Sequence, residues 1–123
     1  SRRQRQMCIR DRMSTVAVQR GMPFHSSVAA SKGAIEGLTK SLAAEYAPKV
    51  RVNAVAPSIV DTPLANRFLN NELKVEKSAQ KHPLKRIGQA SDIADIIKFL
   101  LSEKSSWMTG QIIGVDGGTS TLS

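Results

Sequence analysis

Apolar and polar positions alternate with a spacing that changes along the chain, and each change marks an element. Ser14-Thr15-Val16-Ala17-Val18 is a β-favouring run that stops at Gly21 and Pro23, which predicts a strand end followed by a loop. Beyond Ser26 and Ser27, either of which can cap a helix, Val28, Ile35, Leu38, Leu42 and Tyr46 recur at mostly helical intervals with small alanines between them. A long amphipathic helix closed by Pro48 follows. Val50 to Ala56 leans toward apolar β-formers and ends at Pro57, as a buried strand does. Residues 58–90 are mixed, punctuated by Pro63, Pro83 and Gly88, with a short polar helix expected on a loop between Ala65 and Gln80. Ser91 then caps a second helix. Its positions 93, 96, 97, 100 and 101 form one apolar stripe behind acidic first-turn residues. Trp107 to Gly110 reads as a turn, and Gln111 to Asp116 as a final strand before Gly117 and Gly118.

Helices alternating with apolar strands imply an α/β fold with a parallel sheet. Such a sheet needs cover on both faces and several neighbouring strands. Three strands are few, and the chain opens in the middle of an element, so the native protein is expected to continue upstream. As an isolated piece it is expected to expose a strand edge and apolar faces, and to aggregate or be marginally stable. Trp107 and the Ile-Leu stripe of the second helix are expected in the core or at a subunit contact.

The 123 residues suffice for one domain, and 41% hydrophobic with 23% charged residues fits a soluble globular protein. The net charge of +8 suggests nucleic acid until its distribution is considered. Half of it lies in residues 1–12, where five arginines stand against Asp11. That stretch has neither helical nor strand periodicity and is expected to be a non-native or disordered basic leader, with residues 13–123 forming the domain. The alternative, a basic arm gripping phosphates, lacks any aromatic or motif context. No nucleic-acid partner is expected, and the apolar runs are too short for a signal peptide or membrane span. Cys8, the sole cysteine, permits no internal disulfide and suits the cytoplasm. His25 and His82 lie far apart without ligand-type partners at metal-site spacing, so no metal centre is expected.

Several ordered motifs then carry a family resemblance over about residues 13–120. Ser14-Thr15-Val16-Ala17 through Gly21-Met22-Pro23 to Ala30-Ser31-Lys32 resembles the active-site region of the short-chain dehydrogenase/reductases. Arg51-Val52-Asn53-Ala54-Val55-Ala56-Pro57 resembles the penultimate-strand motif of that family, and Gly110-Gln111 with Val115-Asp116-Gly117-Gly118 its closing strand. The resemblance implies the C-terminal half of a Rossmann-like, doubly wound parallel sheet of three α/β/α layers, incomplete in this chain. It also implies NAD or NADP as cofactor, a small carbonyl or alcohol as substrate, and a homo-oligomer.

In that family a tyrosine exchanges the substrate proton, and a lysine four residues later lowers the tyrosine pKa and holds the nicotinamide ribose. Lys32 matches the lysine, which places Val28 where the tyrosine should be. Residues i and i+4 share a helix face about 5–6 Å apart, close enough for an ammonium to stabilise a phenolate. Valine has no proton to give. The resemblance puts the catalytic serine on Thr15, whose hydroxyl can donate to a carbonyl oxygen. Tyr46 stands eighteen residues past Val28, roughly 27 Å along a helix, and cannot substitute; His25 is a weaker stand-in. Pro57-Ser58-Ile59-Val60-Asp61-Thr62 resembles the proline-glycine motif, with Ser58 in place of the glycine. It implies that Pro57 and backbone near Val60 meet the nicotinamide carboxamide, and that Thr62 meets the phosphates. Gly110, Gly117 and Gly118 read as turn residues. A Gly-x-x-x-Gly-x-Gly phosphate turn does not occur in these 123 residues. Two roles compete: part of an oxidoreductase, or a non-catalytic cofactor-binding or partner subunit that lacks the proton donor.

Overall fold

The computed structural model describes residues 12–13, 26–62 and 71–122, with backbone alone for 12–13 and 26–28. Thr15, His25, most of the basic leader and the strand expected over Ser14–Val18 lie outside the described residues. The elements run β1 (Arg12–Met13), α1 (Ser26–Tyr46), β2 (Ala54–Pro57), β3 (Val60–Asp61), α2 (Glu72–Gln80), β4 (Gly88–Gln89), α3 (Ala90–Leu101), a single 3₁₀ turn (Glu103–Ser105) and β5 (Ile112–Val115). The main sheet has the order β1-β2-β5 and every pairing is parallel, with Ala54 opposite Ile112 and Pro57 opposite Val115. β1 contains Arg12, the last residue of the expected leader, paired with Ala54.

Strand alternation sorts β2 between two layers. Val55 is fully buried and packs with Ile93 and Leu100, joined by Val60, Ile96, Ile97, Met108, Ile113 and Val115. This is the α3 side. Ala54 and Ala56 alternate to the opposite face and are equally buried, and α1 packs on β1 and β2. Small alanines there let a helix approach closely. Burying Val55 and Leu100 each contributes about 2–3 kcal/mol before entropy is charged.

The buried line of α1 differs from the apolar stripe expected from Leu38, Leu42 and Tyr46. Leu38 and Tyr46 are each 48% exposed, whereas Thr39 and Ala43 are buried. The helix turns its small residues to the sheet, and Thr39 satisfies its hydroxyl by donating to the Ile35 carbonyl at 2.7 Å. Of the two places expected for Trp107, the core is ruled out: it is 98% exposed in this chain. It sits in the turn after the 3₁₀ segment, past the point where α3 holds side chains against the sheet. In the α3 stripe Ile93 and Leu100 are buried, while Leu101 at the helix end stays exposed.

The start of α3 also differs from the serine cap expected at Ser91. Gln89 is the N-cap, and the Asp92 carboxylate accepts its backbone N–H at 2.7 Å. The short polar helix expected within 65–80 spans Glu72–Gln80, and Asn71 caps it by accepting the Lys74 N–H at 2.8 Å. β2 likewise begins at Ala54 and not at Val50. Before it, Arg51 is buried and its guanidinium donates to the carbonyls of Leu100, Ser102, Ser105 and Met108 and to the Ser105 hydroxyl, at 2.7–3.2 Å. Asn53 bridges the Met108 carbonyl and the Gln111 N–H. These side chains close the α3 C-terminus onto β2.

Candidate functional site

In a parallel α/β unit the crossover helix runs antiparallel to its strands. The first turns of α1 therefore lie at the edge where the strands end, which is where such folds bind ligands. Lys32 is in those turns and is half-buried. Steps of four, three and four residues lead from Lys32 through Glu36 and Thr39 to Ala43, so Lys32 lies on the stripe that α1 turns toward the sheet. Position 28 lies one turn earlier on the same helix.

Pro57, Val60 and Thr62 leave the sheet at that same edge. Pro57 ends β2, Val60 opens β3, and Thr62 follows β3; all three are half-buried. β3 pairs in parallel with β4, Val60 opposite Gly88, and the Gly88 N–H donates to the Ile59 carbonyl at 2.9 Å. In this register the ladder uses Ile59 and Asp61, leaving the N–H and C=O of Val60 on the side away from β4. A donor and an acceptor thus stand together on one strand edge. Gly88 eases this approach, because a Cβ there would stand 3.2 Å from the Val60 side chain, a tight contact.

Beside the β2 exit is a cleft of about 140 Å³ lined in part by Ser58, Ile59, His82, Ile87, Gly88 and Gly117. Pro57, Val60, Thr62 and Lys32 do not line it; Ser58 and Ile59 do. Within it lies a contact that sequence spacing does not disclose. Ser58 Oγ and His82 Nε2 are 2.9 Å apart, and His82 Nδ1 is 2.7 Å from the Ser78 carbonyl. A carbonyl can only accept, so Nδ1 carries a proton; in the neutral imidazole the serine hydroxyl then donates to Nε2. His82 is 3% exposed. The expected turn glycines are confirmed in conformation, since Gly110, Gly117 and Gly118 have φ of 70°, 62° and 91°.

Two carboxylates near this edge are perturbed. Burial raises the Asp116 carboxyl, but hydrogen bonds from Ser120 and the Gly118 N–H, with His82 nearby, outweigh it and leave the pKa below the usual value. Asp92 is lowered from 3.8 to about 2, chiefly by the hydrogen bonds from Arg86 at 2.8 and 3.1 Å and then by the Gln89 N–H. Among the described residues no three His, Cys, Asp or Glu side chains gather as a metal site, and no helix is long and apolar enough to cross a membrane.

The match to known proteins extends over nearly the same span as the motifs. A family profile described as enoyl-(acyl carrier protein) reductase covers residues 12–120. The chain is 41% identical over 107 residues to L-xylulose reductase of Bos taurus, covering 86% of this chain and 44% of that protein. It superimposes with a TM-score of 0.81, at 38% identity, on a short-chain dehydrogenase/reductase described as glucose/ribitol dehydrogenase from Brucella melitensis, over 89% of this chain and 44% of that one. A gluconate 5-dehydrogenase from Burkholderia cenocepacia in complex with NADP and tartrate gives a TM-score of 0.83 at 27% identity, over 92% and 45% of the two chains. The chain thus spans less than half the length of the relatives it matches. With parallel βαβ topology, the ordered motifs and these matches agreeing, the chain belongs to the short-chain dehydrogenase/reductase family, as an incomplete Rossmann-like three-layer domain.

Proposed function

We propose that this chain supplies the C-terminal part of the nicotinamide pocket in an NAD(P)-dependent oxidoreductase acting on a small carbonyl or alcohol. The observation that carries the reading is the position of Lys32, half-buried on the sheet-facing stripe of α1 at the edge where the strands end. The resemblance gives an ammonium there the ribose hydroxyls to hold, and gives Thr62 the phosphates. The residues suit the cofactor at its other end too. A carboxamide offers one acceptor and one donor, and Val60 offers a backbone N–H and C=O side by side. When bound, the nicotinamide supplies or accepts hydride; Pro57, Val60 and Lys32 orient it.

The proton is the weak link of the site. With Val28 at the tyrosine position, Thr15 is left to donate a hydrogen bond to the developing oxyanion. That substitution also favours a second reading, a non-catalytic subunit that binds cofactor or pairs with an active partner. The resemblance further supports a homo-oligomer, and the single cysteine suits a reducing cytoplasm. The test is a cofactor-fluorescence titration of the complete polypeptide that carries this chain. Wild type is expected to bind NADH or NADPH, and Lys32→Ala to weaken binding about tenfold, as loss of a charge-assisted hydrogen bond implies. Equal affinity of wild type and Lys32→Ala contradicts the placement of the lysine. Binding without turnover across a carbonyl panel selects the second reading.

A further inference from the structure

Ser58 stands where the family resemblance calls for a glycine, and its hydroxyl is not idle. It meets His82, twenty-four residues further on, at 2.9 Å. His82 is in turn fixed on every side. Its Nδ1 donates to the Ser78 carbonyl, and its backbone N–H donates to the Ala79 carbonyl at 3.1 Å, both in the last turn of α2. Gly117, at the exit of β5, lies against it: a Cβ at that glycine would be in ordinary van der Waals contact with the His82 Cβ, at 3.4 Å. Two residues past His82, the Leu84 N–H donates to the Gly117 carbonyl at 3.1 Å. Further along, Gly88 closes on Ile59 and β4 pairs with β3.

The β2 exit is therefore held at two points, Ser58 and Ile59–Asp61, by one segment that is itself fastened to the β5 exit. Val60 lies within the second of these, two residues past Ser58. We propose that the Ser58–His82 hydrogen bond is a positioning latch, setting the direction of the Val60 N–H and C=O and thereby the seat of the nicotinamide carboxamide. His82 is a positioning residue on this account: it acts through Ser58 and the backbone and does not touch the cofactor. The latch also fastens the last turn of α2 to the exit of β2. The inference rests on the nicotinamide reading above.

The test compares two ligands on the complete polypeptide: NADPH or NADH, which carry the nicotinamide, and ADP-ribose, which lacks it. Ser58→Ala and His82→Leu are expected to weaken the reduced cofactor about fivefold, the size of one hydrogen bond, while ADP-ribose affinity stays within about twofold. His82→Gln, which keeps an amide able to bond Ser58, is expected to recover most of the difference. Thermal melts confirm that each variant is folded, and Ser58→Ala keeps the test alive where His82→Leu fails to fold. Unchanged affinity for the reduced cofactor in folded Ser58→Ala overturns the latch. Equal weakening of both ligands overturns it as well, since that is the mark of general loosening. A wild type that binds neither ligand overturns the nicotinamide reading itself and the latch with it, so the two failures are told apart by the wild-type titration.

Discussion

The two ends of β2 are held in different ways. At its amino end Arg51 and Asn53 are buried and spend their hydrogen-bonding groups on the α3 C-terminus and residues 105–111, with the Val52 N–H donating to Thr109 and the Val52 carbonyl accepting from Gly110. At its carboxyl end Pro57, Ser58 and Val60 are half-buried beside an open cleft, and one side-chain bond plus a two-residue ladder hold the chain. The first end is cross-linked for stability; the second keeps backbone groups available to a ligand. Buried polar groups that are fully satisfied make a rigid anchor, and removing one partner leaves several orphans at once.

That contrast is open to direct attack. Arg51→Ala should destabilise by about 3 kcal/mol or more, because four carbonyls, two of them in buried bonds and two in part-buried ones, lose a charged donor together. Ser58→Ala, removing one bond at the open end, should cost about 1 kcal/mol or less. Denaturant midpoints of the two variants decide it; equal losses would erase the distinction between the ends. The smallest effect is expected at Asp92. Its carboxyl is lowered from 3.8 to about 2, so the stability it contributes through Arg86 and the α3 N-terminus is present above about pH 3.8 and lost as pH falls toward 2. The pair is exposed, and solvent screens it. Wild type and Asp92→Asn should differ slightly at neutral pH and converge below pH 3; a gap that widens in acid would have the wrong sign.

The same contrast explains what could be read from residues alone. Elements with a local cause were legible: α3 from its apolar stripe, α1 from its helical spacing, β5 from its flanking glycines, and the parallel α/β class from their alternation. Features that depend on a distant partner were not. The strand expected from Val50 starts at Ala54 because Arg51 and Asn53 find partners more than forty-five residues away. The α1 stripe was misassigned because small Thr39 and Ala43 pack closer than Leu38 and Tyr46, which hydrophobicity alone favours. Trp107, expected in the core or at a subunit contact, is carried out of the core by a turn. β3 and β4 are two residues each and have no periodicity to detect. Spacing gives His82 no partner, because Ser58 reads in sequence only as a departure from a glycine.

The central claim is that Lys32 and position 28 share the helix face that borders the nicotinamide seat. Turnover of a carbonyl panel by the complete polypeptide with Val28→Tyr, alone and combined with Lys32→Ala, tests it most directly. The account predicts a gain of at least about a hundredfold for Val28→Tyr, the scale of a restored general acid, and loss of most of that gain when Lys32 is removed. A tyrosine that brings no gain, or a gain indifferent to Lys32, would contradict it.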